Sequence, residues 1–184
     1  MGKALILIQS DTGHTERMAA FVEEGVGSVD GIEIRLLTVE RATAKDLRWC
    51  DGIAVGCPTH LGSVSARMKQ WWDEEAAPVW MEVDGKIGCA FSSSGGWAGG
   101  AELTCQNLLT ILMNFGFLTF GVTDYVAPKM TAHYGAICAG EPRAAGEMEA
   151  CRRLGRRLGE WISFYVDRRD EAHPLRAKYT RHTD

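Results

Sequence analysis

Residues 3–15 read KALILIQSDTGHT, and this stretch decides the fold. The aliphatic run over residues 3–8 has the length and β-branched content of a buried strand. A polar loop follows at once, and beyond it the apolar residues recur at helical spacing, at Met18, Ala19, Phe21, Val22 and Val26. A buried strand that passes through a polar loop into an amphipathic helix predicts the first unit of an α/β fold.

The same alternation continues through the rest of the chain. Strands are predicted over residues 3–8, 32–37, 52–56, 86–91 and 117–122, and helices from residue 15 and over residues 64–75, 101–115 and 143–166. Strands that alternate with helices imply a parallel sheet covered on both faces. We therefore expect an α/β fold with a five-stranded, doubly wound parallel sheet in the order 2-1-3-4-5. Its ligand site should lie beyond the carboxyl ends of the strands.

The length and composition of the chain narrow the function classes. The 184 residues suit one domain, which we assign to residues 1–167, with a polar surface tail over residues 168–184. A net charge of −4 offers no basic face for nucleic acid. No window approaches the roughly 20 apolar residues of a membrane span, and no signal peptide is evident. The six cysteines lack zinc-type spacing. We therefore expect a cytoplasmic protein with free thiols and no metal site.

The first loop, residues 10–15, combines hydroxyl groups, one glycine and a helix start. Free N–H groups at a helix start and the positive end of the helix dipole favour phosphate binding. Capping of the helix by Ser10 or Thr12 is the simpler alternative, but capping needs one hydroxyl and three lie within six residues. The loop therefore predicts a phosphate site formed by Ser10, Asp11, Thr12, Gly13, His14 and Thr15.

The second loop, residues 56–63, reads GCPTHLGS and follows the third predicted strand. Its two glycines and its proline predict a strand-to-helix turn whose backbone approaches a flat ligand closely. His60 is the candidate catalytic residue, as a proton donor or acceptor beside the ligand. A plain exposed loop histidine explains the sequence equally well.

The third loop, residues 92–100, reads SSSGGWAGG and lies between a predicted buried strand and a buried helix. A flexible linker would be out of place there, so a binding loop is the better interpretation. Its hydroxyl and N–H groups suit the polar edge of a ring, and Trp97 offers an aromatic wall.

Together the three loops resemble the FMN-binding loops of the flavodoxin superfamily. They are most similar to the NAD(P)H:quinone oxidoreductase branch, the tryptophan-repressor-binding proteins. That branch has Ser-x-x-Gly-His before its first helix, a Pro-Thr-Arg-Phe-Gly turn, and a Ser-Thr-Gly-rich segment after its fourth strand. This chain has residues 10–15, the turn Pro-Thr-His-Leu-Gly at 58–62, and residues 92–100 at the matching places. The resemblance runs from residue 3 to about residue 166.

The resemblance implies a flavodoxin-like fold and an FMN site whose parts can be carried over by position. The first loop would hold the phosphate, and the second loop would line the ring edge with Pro58, Thr59, His60, Leu61 and Gly62. The third loop would meet the pyrimidine side with Ser92, Ser93, Ser94, Gly95, Gly96 and Trp97. Trp80 stands where the branch has a tryptophan near its substrate face. His133, after the fifth predicted strand, is a second candidate for that face or a plain surface residue.

The chain departs from the branch in a shorter connection from Glu74 to Gly85 and in its residues at three places. His60 replaces an arginine, Leu61 replaces a phenylalanine beside the flavin, and Asn-Phe-Gly at residues 114–116 replaces His-His-Gly. These changes leave the expectation of FMN binding intact and bear on the quinone reductase activity.

Two functions remain open from the sequence. The first is an FMN oxidoreductase that passes electrons from NAD(P)H to quinones or similar small acceptors, and the resemblance suggests a homodimer or homotetramer. The alternative is a flavodoxin-type single-electron carrier between redox proteins. A phospho-receiver domain on the same sheet is excluded, because the third predicted strand ends in Gly56-Cys57 and not in an aspartate.

Overall fold

The structure is a computed structural model that describes residues 1–174 of the chain. Its strands are β1 (Gly2–Ile8), β2 (Ile32–Thr38), β3 (Gly52–His60), β4 (Ser63–Val64), β5 (Ile87–Ser94), β6 (Leu118–Thr119), β7 (Val122–Ala127), β8 (Met130–Ala132) and β9 (Ala136–Ala139). Its α-helices are α1 (His14–Gly27), α2 (Ala44–Trp49), α3 (Ala66–Trp71), α4 (Ala101–Asn114) and α5 (Ala145–Tyr165). A π-helical turn (Trp72–Ala76) and a 3-10 turn (Ala77–Glu82) continue α3, and a short 3-10 turn (Asp170–Ala172) follows α5.

The central sheet is parallel and has the order β2-β1-β3-β5. Its fifth position is shared by two short strands that pair with opposite ends of β5. Leu118 of β6 pairs with Ile87, whereas Ala136 of β9 pairs with Phe91. This confirms the doubly wound order expected from the alternation of strands and helices.

An insertion separates β6 from β9, and the sequence analysis missed it. The chain leaves the sheet edge after Thr119, forms the antiparallel hairpin β7–β8, and returns at Ala136. The hairpin packs against α5, where Arg153 donates from Nη1 to the carbonyl oxygen of Tyr125 at 2.7 Å. The predicted strand over residues 117–122 was therefore wrong in extent, because Val122 already belongs to the hairpin.

Other element boundaries also differ from the prediction. The helix predicted over residues 64–75 ends as an α-helix at Trp71. A π-helical turn follows, and Pro78 keeps α-helical bonding from resuming beyond it, since proline lacks an N–H and its ring clashes with the carbonyl group of Glu74. Helix α2 and strand β4 were not predicted. Ser92, Ser93 and Ser94, assigned to a loop, are buried residues of β5.

Two apolar cores cover the two faces of the sheet. Along β1, Ala4, Ile6 and Ile8 face α1 and α5, while Leu5 and Leu7 face the layer that contains α2, α3 and α4. Alternate residues of a strand point to opposite faces, so a continuous aliphatic run is what a doubly covered strand requires.

Helices α1 and α5 approach each other through glycines. A Cβ added at Gly25 would lie 2.0 Å from the carbonyl oxygen of Arg152, and one added at Gly155 would lie 2.0 Å from that of Val22. Each glycine therefore touches the backbone of the opposite helix, and a side chain at either position would force the helices apart.

All six cysteines are buried free thiols. Burial raises the pKa of Cys50 to about 12, and burial raises the pKa values of Cys57, Cys89 and Cys105 as well. The folded state thus holds these thiols in their neutral form.

Over residues 1–174, no group of three or more His, Cys, Asp and Glu side chains is placed to hold a metal ion. None of the helices in that range is both long and apolar enough to cross a membrane.

The glycine contact predicts a position-specific loss of stability. We expect Gly25→Ala to lower the free energy of unfolding by about 3 kcal/mol, because the new methyl group would meet backbone that cannot rotate away. Gly27→Ala, in the same helix, is the matched control, since its Cβ would meet only Ile34 Cδ1 at 3.7 Å. Chemical denaturation of both variants measures the difference, and equal stabilities would contradict the close contact.

The buried thiols predict a loss of stability in alkali. Above about pH 9, thiols of the unfolded chain release protons that the folded chain retains, so stability falls as the pH rises. Below that pH their contribution is fully present. Native protein at about pH 8 should react slowly with a thiol reagent, and all six thiols should react in guanidinium chloride. Rapid labelling of the native protein would show that the thiols are accessible.

Candidate functional site

The first loop wraps around the start of α1. Gly13 is the N-cap residue and adopts a left-handed conformation with φ +85°. Ser10 Oγ accepts hydrogen bonds from the N–H groups of Gly13 at 3.1 Å and Glu16 at 3.4 Å. The first N–H groups of a helix have no acceptor inside the helix, so those of His14 and Thr15 are the donors available for an anion.

The second loop is a β-hairpin turn and not the strand-to-helix turn that the sequence predicted. Strand β3 continues to His60, turns at Leu61 and Gly62, and returns as β4, with Thr59 opposite Val64. Both turn residues have positive φ, +49° at Leu61 and +81° at Gly62, as in the type I′ turns of two-residue hairpins. Leu61 is fully exposed at the tip. A leucine in the left-handed backbone conformation costs about 1 kcal/mol. The hairpin therefore holds an apolar side chain in solvent in spite of a strained backbone at Leu61.

The third loop opens beyond β5 and ends at the start of α4. Trp97 is 61 % exposed. A Cβ added at Gly95 or Gly96 would meet no atom within 4 Å, whereas one at Gly100 would lie 3.5 Å from Gly62 Cα. The turn of the second loop therefore lies close to the end of the third loop, while Gly95 and Gly96 of the third loop face open space.

Side-chain contacts join the first loop to the other two. His60 Nε2 lies 3.1 Å from Asp11 Oδ2, which links the first and second loops. Thr15 Oγ1 lies 3.0 Å from Ser93 Oγ, a buried contact that links the first and third loops. The structure thus brings the three predicted loops to one place, at the carboxyl ends of β1, β3 and β5. The hydroxyl groups of Thr15 and Ser93 are hydrogen-bonded to each other.

One polar residue of this region was not among the predicted site residues. Thr104 is fully buried on α4, and its Oγ1 lies 2.9 Å from Thr59 Oγ1. The sequence contains a signal for it, because Thr104 is a hydroxyl residue within the apolar stripe of α4 that includes Ala101, Cys105 and Leu108.

Trp80 does not lie with the three loops. Its indole Nε1 donates to the carbonyl oxygen of Asn114 at 2.6 Å, at the last residue of α4. Since α4 begins at the third loop and rises about 1.5 Å per residue, the two ends of this 14-residue helix are about 20 Å apart. Within one chain, the structure therefore does not bring Trp80 together with the three loops. The sequence order could not show that the turns after α3 lie beside the far end of α4.

His133 lies at the base of the inserted hairpin. It is exposed, and its Nδ1 is 3.0 Å from the carbonyl oxygen of Val122. It takes no part in the contacts that join the three loops.

Acidic residues outnumber basic ones around the loops. The carboxylates are those of Asp11, Glu16, Glu40, Glu102 and Glu141. Arg67 lies 3.9 Å from both Asp11 and Glu40, and Arg17 lies 3.9 Å from Glu141. Each nearby guanidinium group thus already faces a carboxylate, so the rim of the site is acidic.

The site fits a ligand with a phosphate at one end and a flat ring at the other. The helix start and the hydroxyl of Thr12 suit the phosphate, while Leu61 and Trp97 are apolar side chains held in solvent beside open space. An aromatic and an aliphatic side chain suit contact with the faces of a flat, apolar ring.

The sequence is similar to a family model and to several known proteins. The model of the family "NADPH-dependent FMN reductase" matches residues 40–132, half of the chain. A flavodoxin of Aquifex aeolicus is 57% identical over 171 residues, which cover 93% of this chain and 92% of that protein. An NAD(P)H dehydrogenase (quinone) of Chromohalobacter salexigens is 31% identical over 79% of this chain and 82% of that protein.

Solved structures share the fold. The flavodoxin described as a WrbA-like protein from Agrobacterium tumefaciens superimposes with a TM-score of 0.69 at 23% identity, over 88% of this chain and 98% of that one. The match in fold, the family model over half of the sequence, and relatives aligned along most of its length agree with the resemblance of the three loops. The chain belongs to the flavodoxin-like family.

Proposed function

We propose that this protein binds one FMN at the three loops and works as a flavodoxin-type electron carrier between redox proteins. One observation carries the proposal. The start of α1, whose free N–H groups suit an anion, lies in the same loop cluster as two exposed apolar side chains, Leu61 and Trp97. In this proposal residues 1–167 form the FMN-binding domain and residues 168–184 its polar tail, of which 175–184 lie outside the described residues.

Each loop has a distinct role in the proposal. The N–H groups of His14 and Thr15 and the hydroxyl of Thr12 would hold the phosphate, because donors at a helix start complement its charge. Leu61 and Trp97 would exclude water from the ring. When bound, FMN supplies reversible electron transfer, and the protein orients it and tunes its potential.

The acidic rim favours the carrier over a reductase. NAD(P)H is a multiply charged anion, and the carboxylates around the loops would repel it. Arg17 and Arg67 already face carboxylates, and Trp80 lies at the other end of α4. A protein partner with a basic docking face would instead be attracted and steered to the exposed edge of the site.

The second candidate function is an oxidoreductase that passes electrons from NAD(P)H to a quinone. The description of the matching family and the 31% identical relative favour it. His60, held beside Asp11 at 3.1 Å, would then hold or deliver a proton at its Nε2. A homodimer or homotetramer belongs to this candidate.

The phosphate role of the first loop predicts discrimination between two flavins. Wild-type apoprotein should bind FMN at least about 100-fold more tightly than riboflavin, because riboflavin lacks the phosphate that charge-assisted hydrogen bonds would hold. Quenching of flavin fluorescence measures both affinities. Thr12→Val should weaken FMN binding about fivefold and leave riboflavin binding unchanged, whereas Thr123→Val, on an exposed strand residue outside the site, should change neither. Equal affinities for both flavins would contradict a phosphate site.

The choice between carrier and reductase predicts how the bound flavin is reduced. We expect dithionite to reduce it in two resolved one-electron steps and excess NADH or NADPH to leave its visible spectrum unchanged over minutes. Rapid bleaching by NAD(P)H, with recovery on addition of a quinone, would instead establish the second candidate function. Ping-pong kinetics with the two substrates would support one shared pocket.

A further inference from the structure

Thr104 stands apart from the residues that the three loops supply. It is a fully buried residue of α4, one turn beyond the end of the third loop. A buried hydroxyl group costs free energy unless it is hydrogen-bonded, so its partners indicate why a polar residue occupies this face.

A chain of hydroxyl groups runs from Thr104 to the backbone of β3. Thr104 Oγ1 lies 2.9 Å from Thr59 Oγ1, which lies 3.1 Å from Ser92 Oγ. Ser92 Oγ then donates to the carbonyl oxygen of Cys57 at 2.8 Å. These contacts connect three separate elements, α4, β3 and β5.

The hydroxyl hydrogens can be assigned so that each group donates to the next, from Thr104 through Thr59 to Ser92. Each hydroxyl group has one hydrogen to donate and two lone pairs to accept. Because Ser92 donates to a carbonyl group, Thr59 is free to donate to Ser92, and Thr104 to Thr59. Each of these hydrogens then has an acceptor, and that of Thr104 is shared between Thr59 Oγ1 at 2.9 Å and the carbonyl oxygen of Gly100 at 3.2 Å. Such chains strengthen their members by mutual polarisation. Thr104 is the first donor in the chain.

The chain holds the bases of two loops together. Thr59 immediately precedes His60 and the Leu61 turn, while Ser92 lies in β5, three residues before the chain leaves the strand for the third loop. Thr104 Oγ1 also lies 3.2 Å from the carbonyl oxygen of Gly100, where the third loop ends. Gly100 also lies near the turn of the second loop, since a Cβ added to it would be 3.5 Å from Gly62 Cα. Thr104 therefore contacts the end of the third loop and the base of the second loop with one oxygen atom.

We propose that Thr104 is a positioning residue, which fixes the second loop relative to the third and so sets the spacing of the two loops that would border the flat ring. This inference rests on the proposed FMN site, although the tie between the loops can be measured without FMN. Because Thr104 acts at the ring end, its loss should affect FMN and riboflavin alike, unlike the loss of Thr12.

The test compares three variants of the full chain. Thr104→Val keeps the shape of the side chain and removes the donor, and Thr104→Ser restores the donor. Thr110→Val is the matched control, because Thr110 is an exposed residue of the same helix whose Oγ1 donates only to the carbonyl oxygen of Gln106, at 2.9 Å.

Two measurements give the result. In the apoprotein, Thr104→Val should speed amide hydrogen exchange at residues 59–63 and 96–101 about fivefold, with no change elsewhere in the sheet. In the flavin-loaded protein it should weaken both FMN and riboflavin binding by about three- to tenfold, the effect of one hydrogen bond. It should also shift the midpoint potential of bound FMN. Thr104→Ser should behave as wild type, and so should Thr110→Val.

The possible failures are distinguishable. The inference is overturned if Thr104→Val has the same amide hydrogen exchange rates at the two loops as Thr110→Val and also the same affinity for both flavins. A lower melting temperature without faster exchange at the two loops would also overturn it, because the role would then be structural only. If the wild type binds no flavin, the proposed function fails, and faster exchange at the two loops still supports the tie made by Thr104.

Discussion

The parallel register of β1, β3 and β5 is the constraint on which the rest of the site depends. Ile8 pairs with Gly56, Gly56 pairs with Phe91, and Pro58 pairs with Ser93. Neighbouring strands lie about 4.8 Å apart, so the segments that continue beyond Ile8, Gly56 and Phe91 start from one level and lie within reach of one another. The buried contact of Thr15 with Ser93, and the hydroxyl chain beneath the second loop, exist because this register brings their backbones level.

The helix layer places the first loop within that frame. Helix α1 is pressed onto α5 through Gly25 and Gly155, and its apolar face covers β1 and β3. The closeness of the two helices fixes the direction in which α1 begins, and with it the direction of the N–H groups that the first loop presents. A feature distant from the loops, the absence of two side chains between two helices, therefore bears on the geometry of the proposed anion site.

The sequence predicts what periodicity and spacing encode. The alternation of aliphatic runs with helical stripes predicts the doubly wound sheet, and the three polar loops follow strands whose carboxyl ends must meet. Periodicity does not encode long-range pairing. It cannot show that the fifth strand is split, since residues 117–122 and 136–139 are both short apolar runs. It cannot show that Leu61 turns a hairpin, because a leucine with positive φ is held by the pairing of β3 with β4. The placement of Trp80 required knowing where α4 ends, and the role of Thr104 required knowing which hydroxyl groups lie opposite it.

The split fifth strand has a consequence for how the protein meets other chains in solution. A long, flat edge strand exposes a row of unpaired N–H and C=O groups, and such edges template aggregation and amyloid. Here the outer edge consists of β6 with two residues and β9 with four, and the chain departs from the sheet between them. No uninterrupted run at this edge is long enough to serve as a template. The inserted hairpin therefore divides this edge into two short strands, whereas the opposite edge is formed by β2, which runs without interruption over seven residues.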